Sequence, residues 1–188
     1  MQENHTYLII ALGNPGADHQ FDRHNVGFMV GEELRRRHGL PVLRSRFRGL
    51  VGEGRIRGRR AALLLPMTFM NLSGKSAVEA ANWYKTPVER MLVIHDEVEL
   101  PFGEVRLKEG QGLGGHNGLR SVEQWLGSRD FWRLRVGVGR PEHQRLALVD
   151  FVLAPFTEPR EEVLALIGRA ADLAEEWLAA PDGEECPA

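Results

Sequence analysis

Tyr7-Leu8-Ile9-Ile10-Ala11-Leu12 is a short apolar run that stops at Gly13-Asn14-Pro15-Gly16. Six apolar residues closed by strong turn chemistry read as a buried strand. A helical pattern starts after His24, with Val26, Met29, Val30 and Leu34 on one face. Buried strand, polar loop and helix in succession restrict the chain to α/β architectures. In these, such a loop sits at the carboxyl end of a sheet, where sites form. His19 and His24 are the loop residues able to shuttle a proton near neutral pH, and His24 lies nearer the helix start.

The rest of the chain repeats the alternation. Phe47 to Ile56 and Arg60 to Leu65 read as paired strands turning at Arg57-Gly58-Arg59. After Pro66 and a connection through Asn71, Ser73 is placed to cap a helix running to about Tyr84. Met91 to Ile94 is a second short apolar strand, with His95-Asp96-Glu97 at its carboxyl end. Gly103 to Lys108 alternates like an exposed strand. A glycine-dense stretch from Glu109 to Gly118 then leads into a short helix ending near Leu126. Trp132 to Val138 reads as a further strand, and Glu161 to Leu178 as the clearest helix. No repeat or linker appears, so residues 1–188 are expected to form one domain. The expected fold is a three-layer α/β/α sandwich around a mixed, mostly parallel twisted sheet.

Composition enters where it excludes. No apolar run reaches the ~20 residues of a membrane span. The N-terminus has neither the positive flank nor the apolar segment of a signal peptide, so a cytoplasmic location is expected. The single cysteine, Cys186, offers neither a disulfide framework nor a plausible nucleophile. The net charge of −2 conceals an asymmetry. Residues 35–60 carry Arg35, Arg36, Arg37, Arg44, Arg46, Arg48, Arg55, Arg57, Arg59 and Arg60 against Glu53 alone, whereas acids dominate from Glu158 onward. An arginine-rich segment suits a phosphate-bearing partner, and equally a solvated face with no partner. The near-neutral total argues against sequence-blind nucleic-acid binding.

Polar clusters lie just past the strands: Asn14 with His24, then Asn71, then Asp96. A fourth, His116-Asn117, lies in the glycine-rich stretch. Carboxyl-end loops of an α/β sheet share one crevice, so these clusters can converge. A histidine oriented by a carboxylate serves as a general base, and asparagine amides donate to a developing oxyanion. Each residue also has an ordinary structural reading, as a turn residue, a helix cap or a satisfied histidine.

Other motifs fail. Gly74-Lys75-Ser76 resembles the end of a P-loop, but Phe69 stands where the upstream glycine belongs. Gly110-Gln111-Gly112-Leu113-Gly114-Gly115 fits a dinucleotide fingerprint, yet it follows a charged, alternating strand. His19, His24, His95, Asp96 and His116 have no helical His-x-x-x-His spacing for a metal, and no serine elbow is present. What survives is water activated by histidine, with no cofactor and no metal expected.

Five motifs, in order, resemble the bacterial peptidyl-tRNA hydrolase family. They are Leu12-Gly13-Asn14-Pro15-Gly16, Arg23-His24-Asn25, Thr68-Phe69-Met70-Asn71-Leu72-Ser73-Gly74, His95-Asp96-Glu97 and Gly114-Gly115-His116-Asn117-Gly118-Leu119. The stretch Phe131 to Pro141 is similar as well. The resemblance implies a cytoplasmic monomer that cleaves the ester between a peptide and the 3′-terminal ribose of tRNA, recycling tRNA from abandoned translation.

It also implies roles. His24 activates water, and Asp96 holds its imidazole. Asn14 recognises the N-blocked peptide, while Asn71 and Asn117 bind around the ester and the water. Phe69 and Met70 line the cleft near the tRNA end, and His116 belongs to the tRNA- and substrate-binding set. Lys108 and Arg135 clamp the 5′-phosphate of the acceptor stem, and the Gly110 to Gly118 stretch is a candidate gate. His19 stands where the family usually has tyrosine, at the expected mouth of the cleft, which puts affinity and its pH dependence in question. The alternative is a non-hydrolytic RNA-binding relative of the splicing-factor type, which has no need of the full polar set.

Overall fold

The computed structural model describes residues 6–41, 43–110, 112–141 and 147–180. Gln111, Cys186 and the acidic tail lie outside these. In chain order the elements are β1 (Tyr7–Ala11), α1 (Val26–Arg37), β2 (Arg44–Arg46), β3 (Gly49–Ile56), β4 (Arg59–Pro66) and α2 (Ser73–Tyr84). They continue with β5 (Met91–Glu97), β6 (Val105–Glu109), α3 (Asn117–Leu126), β7 (Trp132–Gly137), α4 (Leu148–Val152) and α5 (Arg160–Ala179). One seven-stranded sheet runs in the order β2-β3-β4-β1-β5-β7-β6.

The four central strands, β4, β1, β5 and β7, are mutually parallel, while β3 and β6 pair antiparallel with their neighbours. The sheet is therefore mixed, as the patterning predicts, but evenly so instead of mostly parallel: the three central pairings are parallel and the three outer ones antiparallel. The apolar runs explain the order: strands covered on both faces must be apolar at every position. In β1 every residue is buried, and alternation sends Tyr7, Ile9 and Ala11 to one core and Leu8 and Ile10 to the other. α1 and α5 cover the first core; α2 and α3 cover the second. Burying a Leu or Ile fully contributes about 1.5–3 kcal/mol, so β1 anchors both layers.

Three details differ from the sequence reading. β2 is an additional edge strand, because Arg44-Ser45-Arg46 carries no apolar signal, and Phe47 and Arg48 form its turn with positive φ. Ser73 does not cap α2: it is buried inside the first turn, and its hydroxyl donates to the Met70 carbonyl. α4 was not apparent from sequence, being only five residues long.

Candidate active site

β1 and β5 are adjacent and parallel, so the loops leaving their carboxyl ends meet. Gly27 makes the meeting close. A Cβ there would fall 2.4 Å from the Leu12 carbonyl oxygen and 2.6 Å from that of Ile94, so only glycine lets α1 start directly over both strand ends. This sets His24 above Asp96, and the His24 Nδ1–Asp96 Oδ1 distance is 2.8 Å. The same carboxylate oxygen lies 2.8 Å from Nε2 of His116, at the start of α3. Three elements 20 to 72 residues apart in sequence are thereby tied to one oxygen.

The hydrogen bonds assign the imidazoles. His116 is the N-cap of α3, and its Nδ1 accepts from the N–H groups of Gly118 and Leu119. Its proton therefore sits on Nε2 and is donated to Asp96, leaving no free ring nitrogen. His95 is fully enclosed, and its Nδ1 donates to the Asp96 carbonyl. Burial first, then the neighbouring His116, pushes its pKa down to about 3. His24 differs from both. Its Nδ1–H donates to Asp96, its side chain is 13% exposed, and Nε2 has no partner among the described residues. Burial lowers the His24 pKa, but the Asp96 charge and hydrogen bond outweigh it, and the net direction is up. For Asp96, burial alone would raise the pKa; the two imidazoles, His116 first, hold it far below the usual carboxylate range.

A cleft of about 520 Å³ opens on this cluster. Asn14, His24, Phe69, Met70, Asn71, His95, Asp96, His116 and Asn117 all line it, so the polar clusters read from sequence do converge. Asn14 is braced hard. Asn25, itself buried, donates to the Asn14 carbonyl and accepts from its N–H, and the Asn14 Oδ1 accepts from the Met70 N–H at 3.1 Å. Because a backbone N–H can only donate, the amide orientation follows, and Nδ2 is the group left to face a ligand. Phe69 is 72% exposed at the rim.

Other predicted residues lie elsewhere. His19 is outside the cleft lining and hydrogen-bonded to Asp22 at 2.7 Å. Lys108 and Arg135 lie on the β6–β7 ribbon, where Lys108 is paired across to Arg133 and Arg135 to Arg106, so the two are diagonal neighbours. Arg135 also gives its Nε to Glu97 at 3.0 Å.

Several site residues escape sequence reasoning. α4 supplies an apolar wall of Leu148, Val149 and Val152, and buried Arg23 holds its end by donating to the carbonyls of Phe151, Ala154 and Pro155. Arg133 ties down the glycine-rich stretch through the Gly110 and Gly112 carbonyls. Gly114 and Gly115 follow with positive φ, a conformation that strains L side chains. The ligand atoms of His24, Asp96 and His116 all fall within 4.8 Å and could meet a metal ion. Here the same atoms form two N–H donors on one carboxylate oxygen.

Fold and site together define a class: an α/β enzyme with an aspartate-held imidazole at the carboxyl ends of its parallel strands. The chain belongs to the peptidyl-tRNA hydrolase family, whose match spans residues 8–185. Peptidyl-tRNA hydrolase of Geobacter metallireducens is 52% identical over 169 residues, covering 89% of this chain and 86% of its own. That of Geotalea daltonii is 48% identical over 169 residues, covering 89% and 87%. The crystal structure of peptidyl-tRNA hydrolase from Acinetobacter baumannii superposes with a TM-score of 0.80 at 38% identity, covering 93% of this chain and 87% of that one.

Proposed function

We propose that this chain hydrolyses the ester joining a peptide to the 3′-terminal ribose of tRNA, with His24 as general base. The observation that carries the reading is the 2.8 Å bond from His24 to a buried carboxylate that also fixes His116; of the two rings on that carboxylate, only His24 keeps a ring nitrogen without a partner among the described residues. Water in the cleft gives its proton to His24 Nε2 as its oxygen bonds to the ester carbon. Asp96 stabilises the imidazolium so formed. Collapse of the tetrahedral adduct breaks the bond to the ribose oxygen, and the proton passes from His24 to that leaving oxygen. Asn71 and Asn117, which line the cleft, are assigned to hold the oxyanion with their amide donors, each worth about 10²–10³ in rate.

Asn14 gives the selectivity. Its side-chain oxygen is taken by Met70, and Nδ2, which has no partner among the described residues, donates, so it reads a carbonyl. A blocked or peptidyl amine carries that acyl carbonyl, whereas a free α-ammonium sets donor against donor. Phe69, Met70 and His116 are assigned to the CCA end. Lys108 and Arg135 are assigned to the 5′-phosphate of the acceptor stem; Arg135 spends only Nε on Glu97, and its terminal nitrogens have no partner among the described residues. His19, bonded to Asp22, is assigned a stacking or phosphate contact further out.

We take residues 1–188 as one domain, supported by the single sheet, and assign it as a monomer in the cytoplasm. Among the described residues no helix is long and apolar enough to cross a membrane. The test is a side-by-side assay of N-acetyl-aminoacyl-tRNA and free aminoacyl-tRNA. Release from the first alone is expected, and equal cleavage of both would remove the role given to Asn14.

A further inference from the structure

Glu97 is an acid set among cations that are assigned to an anion. It lines the cleft, and its carboxylate lies against Arg135. Register and alternation bring charged residues from three adjacent strands to one face: Arg106 and Lys108 from β6, Arg133 and Arg135 from β7, and Glu97 from β5. A carboxylate on that face repels a polyanion, so charge alone gives no reason to have it there.

Its bonding does. Glu97 is buried, and both of its oxygens are taken. Oε1 accepts from the Glu99 N–H at 3.1 Å, just past the end of β5, and Oε2 accepts from Arg135 Nε at 3.0 Å. The acid is held by its own strand end and holds Arg135 in turn. The neighbouring arginines are engaged otherwise, Arg133 with the Gly110 and Gly112 carbonyls and Arg106 with exposed Glu104 at 2.8 Å. Arg135 is the one gripped at Nε with Nη1 and Nη2 lacking a partner among the described residues.

We infer that Glu97 is a positioning residue for the 5′-phosphate of tRNA: it fixes Arg135 at Nε so that the two terminal nitrogens meet the phosphate as a ready-made fork. The inference rests on the hydrolase reading and on the assignment of Arg135 to that phosphate. A guanidinium grips phosphate best through two parallel N–H groups, a geometry that an unrestrained arginine must find during binding. Fixing the side chain beforehand removes that ordering cost. Glu97 also follows Asp96 directly on β5, a strand buried at every position. One rigid segment thus carries the group that holds the base and the group that holds the clamp. The offset between ester and phosphate is then set by a strand, not by a loose side chain.

The experiment compares kcat/KM on N-acetyl-Leu-tRNA with its 5′-phosphate and after phosphatase treatment, for the wild type, Glu97→Ala, Arg135→Ala and the double variant. The ratio of the two substrates within one preparation is independent of how much protein is folded. The wild type is expected to favour the phosphorylated tRNA by about tenfold or more. Glu97→Ala should cut that ratio by about three- to tenfold, through KM and not kcat, even though it removes a negative charge. Adding Glu97→Ala to Arg135→Ala should leave the ratio unchanged within about twofold, because the carboxylate acts through that side chain. An unchanged or larger ratio in Glu97→Ala would overturn the inference, as would a further fall in the double variant. Should the alanine variants not fold, the Arg135 side-chain NMR signals of the wild type decide. The Nε–H is expected to be protected from solvent exchange in the free protein, and the Nη protons only once a 5′-phosphorylated acceptor-stem RNA is added. An Nε–H that exchanges freely before RNA is added would overturn the inference. A wild type indifferent to the phosphate would remove the clamp assignment and the inference with it. One that cleaves neither ester would sink the hydrolase reading. Both results differ from a wild type that discriminates and a Glu97 variant that does so equally.

Discussion

Two charged regions of this molecule are built in opposite ways. The arginine belt of residues 35–60 is conspicuous in sequence, yet in the fold most of its charge is answered by the chain itself. Arg35 pairs with Glu32, Arg36 with Glu33, and Arg48 with Glu79; Arg46 lies against Phe47 and Trp83. Arg37 reaches Asp172 and Glu175 on α5, so the basic first third and the acidic last third meet along the α1–α5 contact. The site around Asp96 holds far less charge, but the charge is buried and shared between two rings. Exposed pairs are screened and worth about 0–1 kcal/mol, whereas one buried carboxylate outweighs burial and raises the pKa of the His24 imidazole it holds. Count of charges along a sequence is thus a poor guide to where charge does chemistry.

The contrast breaks first at His24. His24→Ala is expected to lower single-turnover hydrolysis by about 10³-fold while tRNA affinity is retained, measured by quench assay and filter binding. A small loss would place the base elsewhere.

Next comes Asp96→Asn, expected to cost about 10² or more in kcat. It should also move the pH profile. In the wild type, activity is expected to rise as His24 loses its proton, at a pH above the ordinary histidine value of about 6.5, because Asp96 outweighs burial. Without that charge burial is opposed only by the smaller pull of Asp22, and the rising limb should shift to lower pH.

Asn14→Ala is expected to narrow the preference for blocked over free aminoacyl-tRNA by roughly 10–10²-fold, read from the ratio of the two rates. A uniform loss on both substrates would make Asn14 merely structural.

His95 sharpens the comparison through stability. Its pKa is depressed to about 3, so the unfolded chain takes the proton first. The stability it contributes is complete above about 6.5 and is lost as pH falls from there toward 3. His95→Gln should flatten denaturant-measured stability between those limits by at most about 1.4 kcal/mol per pH unit. At the far end, Arg36→Ala removes an exposed pair and should leave activity unchanged and shift Tm by less than about 1 °C.

Why some of this was legible and some was not has a physical basis. β1 and β5 are sealed on both faces, so their apolar runs are unmistakable, and their carboxyl ends lead to Asn14, just past β1, and to Asp96, in the last residues of β5 itself. Edge strand β2 and five-residue α4 bury too little to leave a period. His116 was found as a neighbour of Asn117, but its work as helix cap and donor to Asp96 depends on partners two and twenty residues away on different elements. Arg23 precedes His24 in sequence and looks like any basic residue. Its task, holding residues 151–155 beside the cleft, exists only once the chain has folded.

The most direct measurement is the imidazole nitrogen NMR spectrum of the free protein at a pH above the His24 transition. The account predicts opposite tautomers on the two rings: proton on Nδ1 for His24, with an unprotonated Nε2 toward the cleft, and proton on Nε2 for His116. Finding the proton of His24 on Nε2, or a free acceptor nitrogen on His116 in its place, would contradict the assignment of the base.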